Sequence, residues 1–93
     1  MEPHRLRVPA GLARLIQGLH PELRRKIRAG IDLIRTDPAS GKMLRDELTD
    51  LRSLRVGRFR IIYRVAAERV VDLIAIGPRR TIYEETLRRL RPE

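Results

Sequence analysis

RSLRVGRFRIIYRV (residues 52–65) and RVVDLIAIGPRRTIY (residues 69–83) decide the fold of this chain, because both stretches are apolar, β-prone and set with arginine. Alternating apolar and polar residues over runs this short predict β-strands. Eight arginines lie between residues 52 and 83, against only Glu68 and Asp72 as acidic residues. A guanidinium group on a rigid sheet suits bidentate contact with phosphate. The segment therefore predicts a phosphate-rich partner.

Three strands are expected in this part of the chain, and their order along the sequence predicts an antiparallel meander. They are Leu51–Val56, Arg58–Val65 and Arg69–Ile76, joined by turns at Gly57-Arg58 and at Ala66-Ala67-Glu68. A two-residue turn that begins with glycine fits type II′ and fixes the register of the first hairpin. Counting outward from it places Val56 opposite Phe59 and Arg55 opposite Arg60.

The register also sorts the hairpin side chains onto two faces of the sheet. One face carries Leu54, Val56, Phe59, Ile61 and Tyr63, and the other carries Ser53, Arg55, Arg60, Ile62 and Arg64. The first face is suited to cover helices, so the arginines are expected on the open face. Like charges directly opposite cost about 0.2–1 kcal/mol per pair, which favours an anion that offsets the repulsion. The alternative is a solvated face with splayed side chains.

The remaining segments predict an α+β fold. A short first strand is expected within His4–Val8, then two amphipathic helices, one from Ala10 to about Gly18 and one from Pro21 to the residue before Asp37-Pro38. Residues 37–50 are expected to form a connecting loop, with or without a short turn of helix. A capping-box spacing at residues 81–84 predicts a short C-terminal helix over Ile82–Leu90. The expected architecture is an N-terminal helical hairpin packed on a small, mainly antiparallel twisted sheet of three to four strands.

Composition limits the class of protein. A chain of 93 residues supports one domain, residues 1–93, and it has no cysteine for a disulfide or a thiolate site. The start shows no signal peptide and no membrane span, so a cytoplasmic protein is expected. The net charge of +9 favours nucleic acid or another polyanion, and only 2 of the 21 basic residues are lysines. A GC-rich or heat-adapted genome is an alternative reason for the arginine excess.

Most catalytic constellations are missing. His4 and His20 lack partners at metal-ligand or triad spacing, there is no glycine-rich phosphate loop, and no metal or cofactor is expected. The loop carboxylates Asp46, Glu47 and Asp50 are interpreted as solvated or capping. Any catalysis must then come from arginine and tyrosine. The turn at residues 77–80 directs two further arginines to the sheet edge before Tyr83, although Tyr83 also fits a core stripe with Leu87 and Leu90.

The two-helix opening, Asp37-Pro38, the run LRVGRFRIIYRV (residues 54–65) and the run IGPRRTIY (residues 76–83) resemble the RelE/ParE superfamily of type II toxin–antitoxin toxins. RelE-type members cut messenger RNA in the ribosomal A site, whereas ParE-type members inhibit DNA gyrase without enzymatic activity. The resemblance covers nearly the whole chain and is nearer the RelE branch. It implies an endoribonuclease that acts with the ribosome on mRNA and is neutralised by a cognate acidic antitoxin; the alternative is a gyrase inhibitor.

The resemblance also implies roles for single residues. Arg60 and Arg79 would hold the scissile phosphate with help from Arg55, and Tyr83 would be the base that takes the proton of the 2′-hydroxyl. A phenol has an ordinary pKa near 10, so this role needs guanidinium groups that favour the phenolate. The nucleases usually carry a second basic residue at a position that falls near Ser53, or near Arg52 if the strand register slips. A serine at that position is a departure from the pattern of the nucleases. The further expected RNA contacts are Arg52, Ser53, Arg58, Arg64 and Arg80.

Overall fold

The computed structural model describes residues 3–90 and shows an α+β fold with one central sheet between helices. The strands are β1 (Arg5–Arg7), β2 (Lys42–Met43), β3 (Arg52–Val56), β4 (Phe59–Ala66) and β5 (Val70–Pro78). The helices are α1 (Ala10–Gln17), α2 (Pro21–Thr36) and α3 (Ile82–Leu90), with short 3-10 helices at Pro38–Ser40 and Asp46–Leu48. The predicted fold class, helical hairpin and C-terminal helix are confirmed.

The sheet has five strands in the order β1-β5-β4-β3-β2, rather than the three to four expected. β1 pairs in parallel with β5, and the other neighbours are antiparallel. The added strand is β2, inside the segment expected to be a loop, where Lys42 pairs with Ser53. Two residues are too few for any periodicity to predict a strand. The second turn lies at residues 67–69, one residue later than expected, since Ala66 already pairs with Val70.

One face of the sheet packs against α1 and α2. The core there contains Leu12 and Ile16 of α1, Ile27, Ile31 and Ile34 of α2, and Ile61, Tyr63, Val71, Leu73 and Ile76 of the sheet. Gly30 lets α2 approach the sheet closely, since a Cβ at this position would lie 3.0 Å from Cγ2 of Val56. His20 has a structural role as the N-cap of α2, where its Nδ1 accepts a hydrogen bond of 3.3 Å from the Glu22 N–H. Across residues 3–90, no helix has the length and apolar character needed to cross a bilayer.

The opposite face is partly covered, which corrects the expectation that it is open. A β-bulge shifts the β4–β5 register, so that Ile62 pairs with Ala75 but Tyr63 pairs with Leu73. α3 packs over this face and forms a second apolar cluster of Leu48, Leu51, Ile62, Ala75 and Ile82. The arginines of this face are therefore divided between a part covered by α3 and an exposed edge.

Candidate functional site

The β3–β4 hairpin places two arginines opposite each other, as the sequence predicted. Gly57 has φ +60°, as the first position of a type II′ turn requires, and Arg55 pairs with Arg60 across the strands. The two side chains take different directions. Arg55 is exposed and its Nε donates 3.3 Å to the Gly57 carbonyl, whereas Arg60 is half-buried and points toward α3. This divergence reduces the repulsion between the two cations.

Arg60, Ser53 and Tyr83 form a compact group under α3, which we call the tyrosine cluster. Nη1 of Arg60 donates 3.3 Å to Oγ of Ser53, and Oη of Tyr83 donates 3.2 Å to the same oxygen. The Arg60 guanidinium carbon lies 5.8 Å from the centroid of the Tyr83 ring, within cation–π range. Ser53 is only 2% exposed. Its hydroxyl oxygen has two acceptor positions, so Ser53 can fix both neighbours at once.

One polar atom of the tyrosine cluster has no partner. Nε of Arg60 is buried, and no acceptor within residues 3–90 bonds to it. A buried donor without a partner carries a desolvation cost of about 1–3 kcal/mol. Nε of Arg60 is thus a hydrogen-bond donor of the tyrosine cluster that no group in residues 3–90 uses.

An arginine-lined cleft lies at the neighbouring end of the sheet, where the β3–β4 turn meets the end of β5. It has a volume of about 680 Å³ and is lined by Arg55, Gly57, Arg58, Pro78, Arg79 and Arg80. The Arg79 N–H donates 2.8 Å to the Arg58 carbonyl, which fixes the two segments together. No carboxylate within residues 3–90 forms an ion pair with any of these four arginines. Several guanidinium groups without an ion pair around one cleft give it a positive potential that attracts anions.

A smaller pocket of about 450 Å³ lies on the other side of Tyr83 and contains residues that sequence reasoning missed. It is lined by Lys42, Met43, Leu44, Arg45, Leu48 and Tyr83. Lys42 pairs directly with Ser53 across β2 and β3, so the two side chains lie on the same face of the sheet. The structure thus places a lysine beside the position where the expected basic residue is replaced by serine. The only sequence signal was a pair of basic residues, Lys42 and Arg45, within a presumed loop.

Two predicted RNA contacts lie outside both the tyrosine cluster and the arginine-lined cleft. Nη1 of Arg52 donates 2.8 Å to the Gly41 carbonyl and secures the segment before β2. Arg64 is 3.5 Å from Asp50 and 3.7 Å from Asp72. Both arginines are therefore engaged by protein groups, and their contact with RNA stays a prediction.

Tyr83 is placed between the core and the pocket. The fully buried residues of α3 are Ile82 and Thr86, while Tyr83 and Leu87 are only partly buried and Leu90 is 46% exposed. The buried face of α3 is thus displaced by one residue from the predicted core stripe of Tyr83, Leu87 and Leu90. Within the described part of the chain, no group of three His, Cys, Asp or Glu residues could hold a metal ion.

Comparison with known proteins shows that the chain matches a protein family. The model of the ParE toxin of type II toxin–antitoxin systems, parDE, matches residues 11–83. No curated protein shows significant similarity to the chain.

Several solved structures share the fold. The RelBE2 toxin–antitoxin complex of Mycobacterium tuberculosis is 27% identical, with TM-score 0.73, over 85% of this chain and 94% of that chain. A double arginine-to-alanine mutant of the Escherichia coli toxin RelE in the free state is 22% identical, with TM-score 0.72, over 96% and 99%. The archaeal RelE–RelB complex of Pyrococcus horikoshii is 21% identical, with TM-score 0.68, over 83% and 96%. The last two likenesses concern the fold alone, and together these findings confirm the resemblance to the RelE/ParE superfamily.

Proposed function

This chain belongs to the ParE toxin family of type II toxin–antitoxin systems, and from that premise we propose that it blocks translation as a ribosome-dependent endoribonuclease. It would act in the cytoplasm, where ribosomes translate. The substrate is mRNA held in the ribosome, and the bond cut is the one between phosphorus and the 5′-oxygen of the next nucleotide. The observation that carries the proposal is the convergence of Tyr83 and Arg60 on Ser53, beside a cleft with four unpaired arginines.

The reaction needs three groups in one place. A base removes the proton of the 2′-hydroxyl, cations stabilise the dianionic phosphorane that forms when this oxygen attacks phosphorus, and an acid protonates the leaving 5′-oxygen. The products are a 2′,3′-cyclic phosphate and a free 5′-hydroxyl. Among the residues at the site, Tyr83 is the base, and Arg60 and Arg79 hold the phosphate, with help from Arg55 in the lining of the cleft.

Lys42 supplies a candidate proton donor for the leaving oxygen, which the sequence alone did not identify. An arginine is a poor acid because its pKa exceeds about 12, whereas an ammonium group gives up its proton more readily. Lys42 is the cross-strand partner of Ser53 and shares a pocket with Tyr83. We assign to Lys42 the proton for the leaving oxygen, and to Ser53 the positioning of Tyr83 and Arg60.

Dependence on the ribosome is supported by the scarcity of aromatic residues. Aromatic residues make up 3% of the chain, and single-stranded RNA is usually held by bases stacked on several such rings. Tyr83 is the aromatic side chain that lines the described pockets near the site. Stacking on one ring binds a free RNA strand only weakly, so the ribosome must position the RNA.

The experiment is a defined translation reaction in which mRNA ends are mapped at single-nucleotide resolution after addition of the toxin. We expect cuts within the codon in the A site, and loss of these cuts with Arg79→Ala. Intact mRNA on stalled, programmed ribosomes at saturating wild-type toxin would reject the nuclease.

A second candidate is inhibition of DNA gyrase by protein binding, and it is favoured by one specific observation: the matching family model is that of the parDE toxin. A gyrase inhibitor has no use for Arg60 and Lys42 on either side of Tyr83. A supercoiling assay run in parallel separates the candidates. Blocked supercoiling with intact mRNA selects the gyrase inhibitor. Normal supercoiling with cleaved mRNA selects the nuclease.

An acidic antitoxin is the expected protein partner. Toxins with this fold have been solved in complex with RelB antitoxins. A net charge of +9 with an open arginine-lined cleft favours an acidic chain that covers the cations. Co-expression with the product of an adjoining small acidic reading frame should give a stable complex and relieve toxicity.

A further inference from the structure

The exposed side of α2 carries a second group of cations, separated from the candidate site by the sheet. α2 buries Ile27, Gly30, Ile31 and Ile34, and this stripe packs toward the sheet. Arg25, Lys26 and Arg28 lie off that stripe and are exposed. With five basic and two acidic residues, α2 has a net charge of +3. A substantial share of the positive charge of the protein therefore lies outside the site.

These three cations, which we call the α2 patch, form no ion pair within residues 3–90. Carboxylates do stand at helical spacing, since Glu22 is four residues before Lys26 and Asp32 is four residues after Arg28. Pairs at this spacing usually stabilise a helix. Asp32 instead lies 4.0 Å from Arg35, and Glu22 forms no ion pair in the described residues. The patch is left open to a partner with negative charge.

We propose that the α2 patch docks on the phosphate backbone of ribosomal RNA. Cations within a single helical turn and exposed to solvent can contact phosphates without reading sequence. The candidate site lies on the opposite face of the sheet, so the ribosome can be gripped on one side while mRNA occupies the other. The proposal rests on the proposed function, because it identifies how the protein is held at its place of action.

An acidic protein is a poorer fit to this surface. The core of a protein interface is rich in apolar and aromatic residues and depleted in charged residues. The nearest large exposed apolar residue of the helix is Leu33, which is 46% exposed and lies about two turns beyond Arg25. The α2 patch itself has no apolar centre, and its chemistry fits a phosphate backbone.

The test compares two triple variants that remove the same charge. Arg25→Gln/Lys26→Gln/Arg28→Gln removes the patch, and glutamine keeps a good helix propensity. Arg5→Gln/Arg88→Gln/Arg89→Gln is the matched control, because these arginines are also exposed and lie elsewhere. Equilibrium binding to programmed ribosomes is measured over a series of salt concentrations, with circular dichroism to verify folding.

We expect the patch variant to bind ribosomes at least about tenfold more weakly at moderate salt, with a log–log salt slope smaller by about 3 units, one per lost phosphate contact. The control variant should keep the wild-type slope. At saturating concentration, the patch variant should cut mRNA at the wild-type rate, since the site is untouched.

Equal ribosome affinity for the patch variant and the wild type would overturn the docking surface, whatever happens to cleavage. Weaker binding to the antitoxin with unchanged ribosome affinity would assign the patch to an acidic protein and overturn it too. Patch-dependent binding to ribosomes without any mRNA cleavage by the wild type would uphold the surface and reject the proposed nuclease.

Discussion

Two tyrosines place the same phenol in two different parts of this molecule. Tyr63 on β4 has no exposed surface, and its Oη donates 2.7 Å to the Pro38 carbonyl and accepts 2.8 Å from the Gly41 N–H. Tyr83 on α3 is half-buried, bonds to Ser53 and lies beside the Arg60 guanidinium at the wall of an open pocket. One phenol joins two backbone segments and the other faces a space that a ligand can enter.

The difference shows what burial does to a reactive group. Burial raises the pKa of Tyr63 above its ordinary value of 10.0, although the hydrogen bond from Gly41 opposes this. Tyr63 is therefore held neutral and serves the fold. A Cβ on Gly41 would lie 2.7 Å from Cε1 of Tyr63, so the loop before β2 is fitted to this ring. The ring of Tyr63 thus packs against the segment that leads into β2 and Lys42.

The largest expected effect concerns Tyr83, the more exposed of the two tyrosines. Tyr83→Phe removes the proposed base and should lower the single-turnover rate of mRNA cleavage by about 10²–10⁴-fold. Loss of one hydrogen bond to Ser53 should cost no more than about 1.5 kcal/mol of unfolding free energy. The rate is measured on programmed ribosomes, and stability by thermal unfolding. A large fall in melting temperature at a normal cleavage rate would place Tyr83 with Tyr63 as a structural residue.

Lys42→Gln tests whether the residue positioned by the Tyr63 segment takes part in the chemistry. We expect the single-turnover rate of cleavage of ribosome-bound mRNA to fall by about 10²-fold at saturating toxin, in the range of general acid catalysis. Arg5→Gln removes an equal charge at an exposed position of β1, outside the site and the α2 patch, and serves as the control. A wild-type rate at saturating toxin, together with weaker binding to ribosomes, would limit Lys42 to binding RNA.

Tyr63→Phe is expected to act on stability instead of rate. It deletes the donor to the Pro38 carbonyl and leaves the Gly41 N–H without its acceptor, at a cost of about 1–3 kcal/mol. Urea unfolding measures this loss. The folded variant should still cut mRNA at close to the wild-type rate, and a loss of rate without a loss of stability would contradict the structural role.

The smallest effect is a dependence on alkaline pH. Above the ordinary phenol pKa of 10.0, the unfolded chain releases a proton that folded Tyr63 retains because its pKa is raised. The unfolded state then binds fewer protons, so the free energy of unfolding falls as pH rises through that range. The stability advantage of wild type over Tyr63→Phe is therefore complete below about pH 10 and should shrink above it. Stability curves that stay parallel for the two proteins above about pH 10 would contradict a raised pKa of Tyr63 in the folded state.

Local chemistry made part of this arrangement predictable from the sequence. Gly57 can adopt the positive φ of a type II′ turn, so counting from it gave the Arg55–Arg60 pairing correctly. The two N-terminal helices follow from periodicity and the C-terminal helix from its capping-box spacing, and these predictions were also correct. Periodicity did not show which face α3 covers, and the expectation of an open arginine face was wrong there.

What the sequence could not show depends on contacts between distant residues. β2 is stabilised by pairing with β3 and by the Tyr63 and Arg52 bonds to Gly41, which are 22 and 11 residues away along the chain. No local pattern announces such a strand, so Lys42 was missed. The bulge between the Ile62 and Tyr63 pairings is equally hidden in a continuous apolar run.

The most direct test of the account is the single-turnover cleavage rate of ribosome-bound mRNA, measured for Tyr83→Phe and Tyr63→Phe beside the wild type at saturating toxin. The account predicts cuts in the A-site codon by wild type, a rate within about threefold of this for Tyr63→Phe, and a rate at least about 100-fold lower for Tyr83→Phe. Equal rates for Tyr83→Phe and wild type would contradict the assignment of Tyr83 as the base.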